Sequence, residues 1–589
     1  MSDFDAHSHS QPNRVRVTHC ALSLIADFKS QILRGSVELR LQRSDPNAPL
    51  LLDTRDLDVK QITWQDAQLP FRVGSRDPIL GSALEIDLPP HADLVTIQYT
   101  SLPHASGLQW LTPEQTAGRN HPFLFSQNQS IHARSWMPIQ DSPAVRITYN
   151  ARIKAPENLR VVMAAEPNGM EDGFHLFRMD LPIPAYLVAI AIGNIEFEAV
   201  GPRTGVYAEP CVLPAATQEF EDLEKLVDAV ERLYGPYRWG RYEILILPPS
   251  FPFGGMENPI VTFATPTIIA GDKSLVSLVS HELAHSWSGN LVTNATWSDF
   301  WLNEGFTTYI ENRIQEEVYG REQALMEQVL DRRELDKELT EFPPGDQILH
   351  IDLFGRDPDD GTTRVPYIKG ALLLRQMEHV FGRPVFDDFL KRYFDQFAFQ
   401  SISTEEALTY LRRQLFDLYP ECAAQVPLDE WVFQAGLPSS APEADSRRLQ
   451  PVSESARRWF AGDMSTIELS AGEWISQEWL EFMQNLPRPI DPSKLAELDR
   501  AFNLTSSNNY EVLQEWLLVA IESNYQTAFP RLESFLMEVG RIKFLKPLYT
   551  HLMMSAAGES FSRLIYRRAR PRYHPIARAA IDKIVYFSR

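Results

Sequence analysis

The stretch His281-Glu282-Leu283-Ala284-His285, followed by Glu304 within Trp301-Leu302-Asn303-Glu304-Gly305, constrains this chain more than any other feature. Histidines four apart on a helix sit one turn apart on the same face. Neutral imidazoles so placed can ligate one zinc ion, and a downstream glutamate completes a His, His, Glu set that leaves one position for water. Glu282, between the histidines, can reach that water. The pattern calls for two helices held side by side. Asp272 can start the first, with Leu275, Leu278, Val279 and Leu283 at helical spacing and Gly289-Asn290 as its stop. Leu302, Phe306, Tyr309, Ile310 and Ile314 mark the second, which ends near Gly320. Paired histidines on an apolar helix can also be satisfied core residues, but the spaced glutamate and the motif upstream favour a metal. Glu311 lies two turns past Glu304 on the same face, either as a solvated charge or as a hydrogen-bond acceptor for a ligating histidine.

The upstream motif is Gly254-Gly255-Met256-Glu257-Asn258, within Phe251-Pro252-Phe253 and on to Pro259. As a bare string it reads as a surface turn. So close to a metal motif it reads as an edge, where adjacent glycines let the backbone approach a ligand and an extended peptide adds as a strand. Glu257 can then offer its carboxylate to a free ammonium.

Together the two motifs resemble those of the gluzincin zinc aminopeptidases. Gly271-Asp272-Lys273-Ser274-Leu275 and Ser286-Trp287-Ser288-Gly289-Asn290-Leu291-Val292-Thr293-Asn294 narrow the likeness to the leukotriene A-4 hydrolase-like subfamily, which combines epoxide hydrolase and aminopeptidase activities. The resemblance covers nearly the whole chain. It implies one zinc per chain, held by His281, His285 and Glu304, with Glu282 as general base. Tyr367, in Val365-Pro366-Tyr367-Ile368-Lys369-Gly370, inherits the role of oxyanion donor. Gln127 and Gln129 match the family's glutamines near the substrate amino terminus, and Gly254, Gly255, Met256, Glu257 and Asn258 form the substrate-binding strip. Asp359 stands where the family places the first side chain, which implies a basic first residue. Arg541 and Lys543 match a pair that binds a peptide's terminal carboxylate, and clamping both ends favours tripeptides. Two positions depart from the subfamily: Thr362 and Phe253 stand where its leukotriene-acting member carries tyrosines. Losing a hydroxyl from the presumed lipid pocket weakens the epoxide reading and leaves the peptidase groups untouched. Hydrolysis of a fatty-acid epoxide and a non-catalytic peptide-binding scaffold remain the rival readings.

The rest of the chain fits. Lys and Arg number 56 against 78 Asp and Glu, a net charge of −22. That argues against nucleic acid and exerts a mild pull on cationic peptides. Cys20, Cys211 and Cys422 are far apart and imply no disulfide framework. No apolar run is long enough to span a bilayer, and the polar start has no apolar signal core, so cytoplasm is the expected location. Nothing demands more than a monomer. Val37, Leu39 and Leu41, then Val95, Ile97 and Tyr99, then Val145, Ile147, Tyr149, Ala151 and Ile153 alternate with polar residues, as in half-buried strands. Leu495, Leu498 and Phe502, then Val512, Leu513, Trp516, Leu517 and Ile521, read as short helices. The basic run 567–572 reads as solvated surface. The expected architecture is therefore multidomain α+β: a β-rich, saddle-like domain at 1–201, a thermolysin-like and mostly helical catalytic domain at 202–436, a linker at 437–455 around Pro438 and Pro442, and a helical superhelix at 456–589.

Overall fold

The computed structural model describes residues 5–587. The first domain is built from mainly antiparallel sheets. The largest has eight strands and is centred on β1 (Val15–Asp27) and β2 (Ile32–Arg43). In β2, Val37, Leu39 and Leu41 are buried between more exposed neighbours, the one-wet-face pattern expected from the alternation, and Cys20, Leu22, Leu24 and Ala26 of β1 follow the same pattern. β1 also pairs in parallel with the strand Arg146–Lys154, which ties the end of the domain to its beginning.

The loop between Phe123–Ser126 and Arg146–Lys154 brings Gln127, Gln129 and His132 toward the catalytic domain. Arg134 anchors it. Its fully buried guanidinium lies 3.0 Å from Asp141 and 3.8 Å from Asp53, and donates to the carbonyls of His7, Leu80 and Asp141.

The catalytic domain opens on a five-stranded mixed sheet in the order Glu196–Ala199, Thr204–Ala208, Tyr242–Ile246, Val261–Ala264, Gly255–Met256. Glu196–Ala199 pairs with Thr204–Ala208, so the domain boundary precedes Glu196 and does not fall at 201. Gly255–Met256 is the edge strand, antiparallel to its neighbour, and leaves a free edge as expected of that motif. After the sheet come α1 (Ser277–Ala284), α2 (Trp301–Tyr319), α3 (Arg321–Glu341) and α4 (Gly370–Phe381), with α2 packed against the other three. Asp272 does not cap α1. Its carboxylate accepts from the Ser274 amide in the preceding turn, and the helix starts five residues later than Asp272, at Ser277. One continuous buried apolar cluster runs through the first two domains, from Val15 to Val432.

The C-terminal domain has its own core, from Val452 to Val585. Eight helices run from Leu449–Ala461 to Pro575–Val585, and alternate helices stack on each other in two layers. The expected linker at 437–455 is corrected here. The helix Leu449–Ala461 begins inside it, because Leu449, Val452, Ala456 and Trp459 recur at helical spacing and are buried. No described helix is long and apolar enough to cross a membrane.

Replacing Arg134 with leucine strands Asp53 and Asp141 as buried, uncompensated charges. We expect a loss of about 3–5 kcal/mol in urea unfolding of the first domain. A loss below about 1 kcal/mol would show that the pair does not anchor the loop.

Candidate metal and peptide site

α1 and α2 deliver the three donors. The Glu304 Oε2 atom lies 3.2 Å from His281 Nε2 and 3.6 Å from His285 Nε2, and one donor atom from each of the three residues falls within a 4.8 Å circle. A tetrahedral ion with bonds near 2.05 Å holds its ligand atoms about 3.3 Å apart. The ring planes of the two histidines are nearly perpendicular, with centroids 4.8 Å apart.

Each imidazole is turned by a hydrogen bond from its other nitrogen. His281 Nδ1–H donates to Glu311 Oε2 at 2.9 Å, and His285 Nδ1–H donates to the Ser288 carbonyl at 3.0 Å. Both bonds leave the Nε2 lone pairs aimed inward. Glu311 is therefore a partner of the ligand and not a solvated charge.

Glu282 is buried, and its Oε2 has no hydrogen-bond partner among the described residues. Gly255 is the reason it can face the edge strand, since a Cβ there would come within 2.2 Å of the Glu282 carboxylate. Gly254 lies against Leu278 and the Arg541 guanidinium. Met256 is buried, and its sulfur accepts from Gln127 Nε2 at 3.2 Å. Asn258 is buried beside it, and the Gln129 amide nitrogen is also without a partner. The Asn290 amide donates to the Glu257 carbonyl at 2.7 Å, which sets the strip. The Glu257 side chain points inward, with Oε1 buried and unpartnered. Carboxylate atoms of Glu257 and Glu282 lie within 4.8 Å of each other and of a His285 nitrogen.

This much buried negative charge has an electrostatic consequence. Burial, reinforced by Glu304, pushes Glu257 up to about 8. Burial also drives Glu282 well above the usual carboxylate range. Such a cluster is relieved by cations.

Tyr367 stacks on His281, with centroids 5.9 Å apart, and meets Phe300 edge-on at 6.0 Å. It sits in a single π turn, Val365–Lys369, that leads into α4. Burial and then the Glu304, Glu257 and Glu282 charges hold its hydroxyl protonated, which keeps it a donor. Lys369, two residues on, is buried and donates to the carbonyls of Gln347 and Gln434, which pins the turn.

Asp359 accepts from the Ser130 amide at 3.2 Å and from His132 Nε2–H at 3.0 Å. Arg55 donates to His132 Nδ1 at 2.9 Å and so fixes the tautomer. Burial alone would raise Asp359, but His132 and Ser130 outweigh it and hold the carboxylate low.

Arg541 and Lys543 do not stand free. Both pair with Glu511, at 3.1 and 2.8 Å. Thr362 is exposed, and Phe253 is partly buried against the catalytic core. Sequence reasoning missed Glu511, His132, Arg55 and Ser288. Of these, only the His132 side chain carries a chemistry that a scan for ligands could have flagged.

The peptidase family M1 domain matches residues 219–426, the peptidase M1 N-terminal domain matches 15–187, and the leukotriene A4 hydrolase C-terminal domain matches 474–585. The chain belongs to peptidase family M1. It is 34% identical to leukotriene A-4 hydrolase of Xenopus laevis, over 99% of each chain. It is 36% identical to leucine aminopeptidase 2 of Yarrowia lipolytica, over 98% of this chain and 93% of that one. The solved structure of yeast LTA4 hydrolase in complex with bestatin superposes with a TM-score of 0.92 at 32% identity, covering 99% of this chain and 98% of that one. The three domains thus match the architecture read from the sequence. The chain is a zinc aminopeptidase, and the donor set, its spacing and the two outer hydrogen bonds fit zinc.

Glu311→Gln keeps the size of the His281 partner and removes its charge. Zinc affinity, measured by competition with a chromophoric chelator, should fall about 10–100-fold. An unchanged affinity would return Glu311 to a purely structural role.

Proposed function

We propose that the enzyme removes the first residue of short peptides with a free amino terminus, favouring tripeptides and a basic first residue. The observation that carries this reading is the closeness of the Glu257 and Glu282 carboxylates. In a peptide the α-nitrogen lies only about 2.5 Å from the carbonyl carbon of the same residue. A carboxylate that holds the ammonium and one that handles the attacking water must then be neighbours, as these are. A polypeptide entering from its middle would bury an uncharged amide against Glu257 and leave that carboxylate unpaired.

His281, His285 and Glu304 would hold zinc, which would supply a Lewis acid and lower the pKa of water. The chain's own groups do the rest. Glu257, with Gln129 nearby, fixes the ammonium, while the Gly254–Met256 edge aligns the peptide as an added strand. Glu282 accepts a proton from the attacking water and returns one to the leaving amine. Tyr367 donates to the oxygen that gains charge as the carbonyl carbon becomes tetrahedral. Asp359, kept ionised by His132, offers an anion to the first side chain. We also propose a cytoplasmic, monomeric enzyme, as the composition suggests.

The deciding assay is hydrolysis of a free arginyl tripeptide by zinc-loaded protein, with products identified by mass. Arginine release supports the reading. An intact arginyl tripeptide alongside a cleaved alanyl anilide would remove the Asp359 and tripeptide parts. Turnover of a fatty-acid epoxide with no peptide cleavage would replace the reading altogether.

Glu282→Gln should cut turnover about 10²–10⁴-fold while zinc stays bound. Metal loss on that substitution would make Glu282 structural. Tyr367→Phe should lower kcat about 10²–10³-fold with KM nearly unchanged. A rise in KM at constant kcat would instead make Tyr367 a ground-state binder.

A further inference from the structure

The cation pair expected to receive a peptide's carboxyl terminus already holds a carboxylate. Glu511 accepts from Arg541 and, through both of its oxygens, from Lys543. Arg364 differs. Its backbone N–H donates to Glu338 Oε2 at 2.7 Å, which fixes its position against α3. Its guanidinium makes no hydrogen bond and no ion pair within 4.0 Å among the described residues, although the residue is only partly exposed. An arginine fork in that condition is a ready receptor for a carboxylate, which it binds bidentately.

Its place in the fold suits a substrate group. Arg364 immediately precedes the π turn that carries Tyr367, three residues away, where helical geometry puts Cβ atoms about 5–6 Å apart. Its charge acts on Tyr367 on the metal side, and on Glu511 and Arg541 on the side of the C-terminal domain. Its charge is thus within electrostatic reach of both the oxyanion donor and the Glu511 cluster. The second and third residues of a peptide held at Glu257 span about 6–7 Å beyond the scissile carbonyl. Asp331, Glu334 and Glu338 of α3 keep the arginine charged from a distance without bonding to its fork.

We propose that Arg364 binds a carboxylate on the leaving side of the substrate, either the peptide's terminal carboxylate or an acidic side chain near it. Arg364 thereby forms a specificity subsite distinct from the Arg541–Glu511–Lys543 cluster. The proposal rests on the aminopeptidase reading for the direction in which the peptide runs.

The test is calorimetric binding to the zinc-loaded Glu282→Gln protein, which holds substrate without consuming it. The ligands are arginyl-alanyl-alanine as free acid, the same peptide as C-terminal amide, and amidated arginyl-alanyl-glutamate. We expect the free acid to bind about 10–100-fold tighter than its amide. Adding Arg364→Ala should abolish that preference, and Arg364→Lys should retain part of it. A preference seen only for the amidated glutamyl peptide, and lost with Arg364→Ala, assigns the subsite to an acidic side chain and upholds the proposal. Should the alanine variant fold poorly, Arg364→Gln makes the same comparison with a near-isosteric neutral group. A preference that survives removal of Arg364 but disappears with Lys543→Ala overturns the proposal, as does the absence of any carboxylate preference. Peptides that bind with this pattern yet are never cut by the unmodified enzyme would sink the aminopeptidase reading and leave the subsite standing.

Discussion

Four carboxylates packed around two histidines are the interaction on which the rest of this structure depends. Glu257, Glu282, Glu304 and Glu311 come from the edge-strand segment and two helices, and burial makes the ionised forms of Glu257, Glu282 and Glu311 costly. The arrangement is tolerable because cations enter it. His281 reaches Glu304 with one nitrogen and Glu311 with the other, and a divalent ion adds positive charge. A site that is electrostatically incomplete without its metal is prepared to bind it.

The scaffold holds this charge in register through rigid contacts. α1 and α2 pack side by side in an apolar core shared with the first domain, so the ligands cannot drift apart without opening that core. The edge strand comes close because Gly255 has no side chain to collide with Glu282. The buried Arg134 holds the loop that supplies Gln129 and His132, and His132 in turn holds Asp359. The first domain is thus part of the site.

Much of this was legible in the chain. His281, Glu282 and His285 lie within one local pattern, helical spacing puts the two histidines on one face, and Glu304 follows at a short interval on the next helix, so sequence could group them. The alternating apolar residues of β2 and of Arg146–Lys154, and the helical patterns at 495–502 and 512–521, were readable because each repeats over a few residues. Boundaries were harder. The helix Leu449–Ala461 lies next to a proline-rich stretch whose composition masks its period, and Glu196–Ala199 looks like the end of one domain until its partner strand is known. Asp272 looked like a cap because the residue type is right, yet a local turn claimed its carboxylate first.

The sequence by itself determined the chemistry: two histidines and a glutamate for zinc, a glutamate between them, and a glycine-rich strip ending in Glu257. Local periodicity suffices for that, since each motif spans a few residues. Only the tertiary structure decided which charges remain available. Glu511 is thirty residues from Arg541 and occupies it, whereas Arg364 bonds Glu338 only through its backbone N–H and its guanidinium pairs with none of the described residues. Pairing between charges depends on distances of a few ångströms between segments remote in sequence, and spacing along the chain carries no record of those distances.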